Sequence, residues 1–183
     1  VSTRVLAPRW AVFWAAFFNF IAFLFFGLHV AQTVGSGIIQ ASIVDDRVIF
    51  GALTGAIAWN VITWIAGIPS SSSHALIGGL VGAGLSKVGF SSIVWWGLGK
   101  TFVAIFMSPA VGFALALVLV LFVSWLFVRV APIKVDSTFR LLQFVSASLY
   151  SLGHGANDAQ KTMGIIAVLL FSHGMMGDKF EVP

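Results

Sequence analysis

The residues best suited to chemistry lie in one run near the C-terminal end: Gly153-His154-Gly155-Ala156-Asn157-Asp158-Ala159-Gln160-Lys161-Thr162-Met163-Gly164. An acid, an amide and an amine sit there between two apolar flanks, residues 141–152 and 165–171. Residues 141–171 are long enough, at about 1.5 Å per helical residue, to cross a bilayer with some tilt. Asp158 and Lys161 would then lie at membrane depth. An ionised group there is costly unless it is paired, hydrated or bound to something. The run therefore predicts a site for charged cargo. Asn157 and Asp158 are hard oxygen ligands, suited to a small cation or to carrying a proton. Lys161 offers positive charge to an anion. Glycines at 153, 155 and 164 predict a helix broken at the site, with backbone groups freed to bind ions.

A second polar run reads Pro69-Ser70-Ser71-Ser72-Ser73-His74 and leads into the glycine-rich apolar residues 75–85. Proline ends the helix before it, and serine is a favoured first cap of the helix after it. Hydroxyls and free N–H groups at a helix start make an anion site; a plain capped loop at the membrane surface would use the same residues. The apolar stretch 75–85 is short for a crossing and suits a re-entrant segment. If the two runs meet near the bilayer midplane, they supply what cation-coupled uptake of an oxyanion needs. The anion alone pays heavily to enter a low-dielectric site, and a co-bound cation offsets that cost, so each ion favours binding of the other.

Other chemistry is poorly served. Ser, His and Asp are all present, but Ser73 and His74 are adjacent, and no Gly-x-Ser-x-Gly elbow exists. His154 and Asp158 are too few ligands for a catalytic metal. The chain has no cysteine, which removes disulfides, thiolate metal sites and cysteine nucleophiles. No enzyme and no cofactor are expected.

The elements that must hold these runs follow from composition. Of 183 residues, 59% are hydrophobic and 9% charged, against about 25% charged in soluble domains. This predicts an all-α polytopic membrane protein. The net charge of +4 does not point to nucleic acid, because the basic residues sit mostly singly in or beside predicted loops, as topology signals do. Spans are expected at residues 10–30, 48–68 and 109–129, with a Ser-rich re-entrant hairpin at 69–108 and a broken helix at 139–171. Trp10 and Trp14 suit a membrane interface. Asn19 and His29 interrupt the first span, as residues bonded to a neighbouring helix or the headgroup zone do. Residues 32–40 suit a short or interfacial helix, and Asp45-Asp46-Arg47 a solvated loop. Gly51 and Gly55 let another helix approach closely. Asn60 and Thr63 share a helix face, suited to packing bonds or to a polar cavity. The Ser108-Pro109 pair divides a long apolar stretch; an alternative count makes residues 75–98 and 101–128 two crossings. Orientation stays open between the two counts. Residues 172–183 read as a polar loop.

At Gly155-Ala156-Asn157-Asp158 the sequence resembles the inorganic phosphate transporters of the PiT type, whose hallmark is a Gly-Ala-Asn-Asp motif. The run from His154 to Gly164 is similar to the bacterial form of its second copy. Pro69 to His74 matches the family's Pro-x-Ser-Ser/Thr-Ser/Thr-His motif, and Val1-Ser2-Thr3-Arg4-Val5-Leu6 resembles the stretch after its first Asn-Asp motif. The resemblance covers essentially the whole chain. It implies a fold of two inverted-topology repeats, each with an Asn-Asp motif and a Ser/Thr-rich hairpin. One of each is present here, so the chain is expected to be a fragment of an inverted-repeat transporter whose remainder is a partner.

The resemblance also implies function. Ser70, Ser71, Ser72 and Ser73, with the helix start after them, would bind inorganic phosphate, alone or as a metal–phosphate complex. Asn157 and Asp158 would handle the coupling cation, H+ or Na+, and contact phosphate with Lys161. His74, His154, Gln160 and Thr162 are further lining or hydrogen-bonding candidates. The expected activity is cation-coupled phosphate symport by alternating access in a bacterial cytoplasmic (inner) membrane. A non-transporting phosphate sensor or assembly subunit is the rival. The coupling ion, selectivity between phosphate and arsenate, a homo-oligomeric state and activity of the fragment alone stay open.

Overall fold

The structure, a computed structural model, describes residues 5–24, 29–176 and 180, without the Phe23 side chain. The lead-in Val1-Ser2-Thr3-Arg4 and part of the C-terminal polar loop lie outside the described residues. The described chain is helical, without a β-strand; only an isolated bridge pairs Ile39 with Ile93. The chain divides into two compact units, Val1–Phe26 with Phe102–Asn157, and Gly27–Thr101 with Asp158–Pro183.

The second unit is built on two helices, α3 (Asp46–Ile65) and α4 (Ser72–Val88), which follow α1 (Pro8–Ile21) and the short α2 (His29–Gln32) in chain order. Asp45 caps α3 by accepting a bond from Val48 N at 2.9 Å, a cap typically worth about 1 kcal/mol. α3 ends where Gly67 adopts φ +67°. Ile68 N reaches Thr63 O at 2.8 Å, and Gly67 N reaches Trp64 O at 3.2 Å. These are the two bonds of a Schellman stop, which needs the left-handed conformation glycine allows. Pro69 then prevents the helix from resuming.

α3 and α4 run antiparallel: Gly51 faces Ala83, and Gly55 faces Gly79. The tight point is Gly79, where a Cβ would lie 2.2 Å from the carbonyl oxygen of Ala52. Val34, Ile38, Ile39, Val48, Leu80, Ile165 and Val168 contribute to the core of this unit. A five-residue π-helix, Thr33–Gly37, continues α2. Gln40 N donates to Ser92 O at 2.9 Å and Val94 N to Ile38 O at 3.0 Å, tying the connector to the start of α5 (Trp95–Phe127).

The first unit contains α1, most of α5 and the first part of α6 (Pro132–Ser172). Trp14 Nε1 donates to Ser148 Oγ at 2.9 Å, and its ring meets Phe144 edge-on at 5.5 Å. Gly155 lies where a Cβ would come within 2.5 Å of the Asn19 backbone, so α1 and α6 touch main chain to main chain.

Three described helical stretches are long and apolar enough to cross a membrane by length and composition: Asp46–Ile65, Ser72–Ser92 and Trp95–Phe127. The all-helical membrane class therefore holds, while several expected boundaries move. α1 runs to Ile21 and a 3-10 turn takes Ala22–Leu24; of the span expected over 10–30, residues 25–28 lie outside the described set. Asn19 spends its amide on Ala15 O of its own helix at 2.8 Å. Thr63, buried, bonds Trp59 O and Asn60 O rather than a cavity.

α4 runs past residue 85, because Ser86 Oγ satisfies Gly82 O at 3.0 Å and Lys87 extends its stem to Asp45 and Ile43 O. The division expected at Ser108-Pro109 is absent: α5 continues through Pro109 for 33 residues, about 50 Å at the usual rise. The expected hairpin arm and third span are therefore one helix. A proline removes one backbone donor, a loss that apolar helices tolerate.

The break expected in residues 139–171 is also absent, since α6 is continuous over 41 residues. Among the described residues, glycines with positive φ are Gly67, Gly89 and Gly174 only. Gly155 and Gly164 serve close approach instead; a Cβ on Gly164 would lie 2.6 Å from Ala31 O.

Candidate functional site

α4 begins at the serine run. Ser71 is its cap, with extended backbone, and its hydroxyl accepts from His74 N at 3.5 Å, long for such a bond. Ser72 and Ser73 occupy the first turn, where backbone N–H groups have no intrahelical acceptor. Their dipoles converge there and favour negative charge. Ser70, Ser71, Ser72 and His74 are exposed, and Ser73 is half-buried.

Ser73 meets α6. Lys161 Nζ donates to Ser73 Oγ at 2.9 Å and lies 2.6 Å from Asp158 Oδ1. The lysine side chain is only 15% exposed, against 50% for Asp158. Asp158 and Lys161 are three residues apart on one helix, a spacing that places side chains on one face. The result is a carboxylate, an ammonium and a hydroxyl in contact beside the positive end of α4.

The other expected residues take different places. Gln160 is 5% exposed, and its Oε1 accepts from Val30 N at 2.9 Å. It satisfies a free donor at the start of α2, a positioning task rather than a lining one. Thr162 is exposed. Asn157, within the first unit, donates from Nδ2 to Gly153 O at 2.9 Å. His154, in the same unit, stacks on Tyr150 with centroids 6.3 Å apart. Side-chain bonds join Ser73 and Asp158 through Lys161.

The sequence reading missed a cavity of about 880 Å³ between α3 and α4. Gly51, Gly55, Gly78 and Gly82 line it, with His74 and Trp59 toward one end and Asp45, Arg47 and Lys87 toward the other. Its signal was present: small residues at four-residue spacing on two consecutive helices. Asp45 accepts from Lys87 Nζ at 2.9 Å. That bond, then the one from Val48 N, holds the Asp45 carboxyl below its usual range. Among the described residues, no group of three or more His, Cys, Asp or Glu could hold a metal ion.

Helices long and apolar enough to cross a membrane, with an ion pair and a hydroxyl gathered at a helix start, fit an integral membrane protein. The chain belongs to the phosphate transporter family, whose model matches residues 1–183. That family consists of transporters, not enzymes. A Rhizobium meliloti protein named "Probable low-affinity inorganic phosphate transporter" is 76% identical over 183 residues, covering 100% of this chain and 55% of the relative. A Mycobacterium tuberculosis protein of the same name is 45% identical over 188 residues, covering 100% of this chain and 44% of that protein. PitB of Escherichia coli, a low-affinity inorganic phosphate transporter, is 33% identical over 93% of this chain and 40% of its own length. The chain thus spans about half the length of these curated relatives. A solved structure described as the sodium-dependent phosphate transporter matches with a TM-score of 0.75 at 22% identity, over 99% of this chain and 63% of that one. This likeness bears on the fold alone.

Proposed function

We propose that this chain is part of a secondary carrier that moves inorganic phosphate across a bacterial cytoplasmic membrane together with a cation, by alternating access. The observation that carries the reading is the Lys161 ammonium bonded to both Asp158 and Ser73. It joins two polar runs 88 residues apart in sequence. The naming of the relatives as low-affinity inorganic phosphate transporters supports phosphate as cargo.

The physical logic is charge balance. Phosphate entering a low-dielectric site leaves behind strong hydration. The first turn of α4 offers hydroxyls and N–H donors at the positive end of a helix. Lys161 adds a full positive charge, held beside that turn by Ser73. Asp158 carries the negative charge that a coupling cation, H+ or Na+, would neutralise. Each ion then favours the other, which is coupling. Ser70 to Ser73 contribute the phosphate donors beside Asp158 and Lys161. A metal–phosphate complex would be accepted by the same oxygen and nitrogen groups.

The test is phosphate counterflow in proteoliposomes containing a full-length transporter that carries this sequence. Wild type is expected to exchange phosphate, and Asp158→Asn to insert normally yet lose coupled uptake. Wild-type uptake by Asp158→Asn would overturn the assignment. Binding without counterflow would instead mark a sensor or assembly subunit.

A further inference from the structure

We infer that the groove between α3 and α4 is a water-filled vestibule through which inorganic phosphate reaches the start of α4, and that Arg47 at its mouth makes the first contact with the anion. The inference rests on the proposed function and adds a route and a residue to it. The groove has a volume of about 880 Å³, room for roughly thirty waters at about 30 Å³ each. It follows α4 from Lys87 back to His74, a distance of about 20 Å at the helical rise. His74 is exposed and directly follows Ser73 in the first turn of α4. The inner end therefore lies beside the N–H groups and hydroxyls offered to phosphate.

The lining suits a hydrated anion better than a lipid tail. Glycines at 51, 55, 78 and 82 form much of the wall, and a Cβ on Gly78 or Gly82 would meet open space. Among the described residues, Val48 and Trp59 are the large apolar side chains that line the groove, and no Leu, Ile or Phe does. Small side chains offer an acyl chain few dispersion contacts, while polar groups at both ends hold water. The mouth carries three charged groups, Asp45, Arg47 and Lys87. Asp45 and Lys87 are spent on each other at 2.9 Å, and Lys87 also donates to Ile43 O. Asp46 does not line the groove; its Oδ1 lies 3.5 Å from His173 Nε2. Arg47 is exposed and forms no ion pair among the described residues. The mouth thus presents an uncompensated guanidinium, whose fork of donors matches phosphate oxygens. Such a charge raises the local concentration of anion at the entrance and the rate at which it arrives.

The test uses the full-length transporter in proteoliposomes, with phosphate exchange measured because it samples both faces. Arg47→Gln is expected to lower exchange about fivefold at low phosphate and low ionic strength, with the rate at saturating phosphate unchanged. Arg47→Lys should restore exchange, and salt at about 1 M, where charges are screened beyond about 3 Å, should erase the difference. Exchange by Arg47→Gln equal to wild type at low phosphate, or an equal loss at saturating phosphate, would overturn the role of Arg47.

Thiol labelling is a second measurement that needs no transport. Gly78→Cys and Gly82→Cys are made separately in a full-length transporter whose other cysteines are replaced by serine. A negatively charged methanethiosulfonate offered to both faces should modify each thiol, and the adduct should block exchange. Exclusion of that reagent where a lipid-soluble maleimide reacts would mark a lipid-filled groove and overturn the inference. Failure of both reagents would mark a groove covered by another helix, with the same consequence. If wild type exchanged no phosphate, the proposed function and the route would fall together, whereas phosphate exchange by a transporter whose thiols stay unlabelled would overturn the route alone.

Discussion

Replacing Gly79 with alanine is expected to damage the scaffold far more than the same change one residue earlier. A Cβ at Gly79 would lie 2.2 Å from the Ala52 oxygen, 3.0 Å from its carbonyl carbon and 3.2 Å from its Cα. These are backbone atoms of α3 and cannot swing aside as a side-chain end would. Relief requires α3 and α4 to part by about 1 Å, the kind of overpacking that costs roughly 1–3 kcal/mol. Alanine recovers about 1 kcal/mol through its better helix propensity. The net expectation is a loss of about 0–2 kcal/mol. At Gly78 a Cβ would meet nothing within 4 Å, so Gly78→Ala should be neutral or stabilising by up to about 1 kcal/mol. The two neighbours should differ by about 1–3 kcal/mol, since the propensity gain is common to both, when denaturant unfolding of the full-length protein is followed in one detergent. Equal stability of the two variants would refute the claim that α3 and α4 meet backbone to backbone at Gly79.

Two further predictions follow from polar contacts of the same unit. Gln160→Ala should cost about 1–3 kcal/mol by leaving Val30 N without its acceptor, whereas Gln160→Glu, which keeps an acceptor, should unfold closer to wild type; equal losses would contradict the positioning role. Asp45, whose carboxyl titrates below the usual 3.8 chiefly through Lys87, should return toward that value in Lys87→Ala when followed by carboxyl NMR. The folded carboxyl stays ionised where the unfolded one takes up a proton. Its stabilising contribution is thus present above the ordinary value and lost as pH falls through the lowered one. An unchanged midpoint in Lys87→Ala would contradict the bond as the cause.

Much of this was legible from residue order, because apolar length and charge scarcity determine class. Pro69 announced the end of α3, and the serine run announced the start of α4. That Ser73 in particular meets α6 was not legible, because four adjacent serines are chemically alike. Other boundaries were not legible. A glycine reads the same whether it breaks a helix or admits a neighbour's backbone. Gly155 and Gly164 do the second, and only the contacts to Asn19 and Ala31 reveal it. Pro109 looks like a stop, yet α5 passes through it. Lys87 looks like the end of an apolar segment until its stem is seen to reach Asp45 and the Ile43 carbonyl. Gln160 sat in a polar run and looked like lining, although its partner is a backbone donor 130 residues away.

The central claim is that phosphate binds at the start of α4, beside Lys161. The sequence contains no cysteine, so Ser73→Cys introduces a unique thiol within it. In membranes containing the full-length transporter, phosphate should slow modification of that thiol by a charged thiol reagent, with a concentration dependence matching uptake, and sulfate should not. Modification at an unchanged rate under saturating phosphate, in a variant that still binds phosphate, would contradict the account.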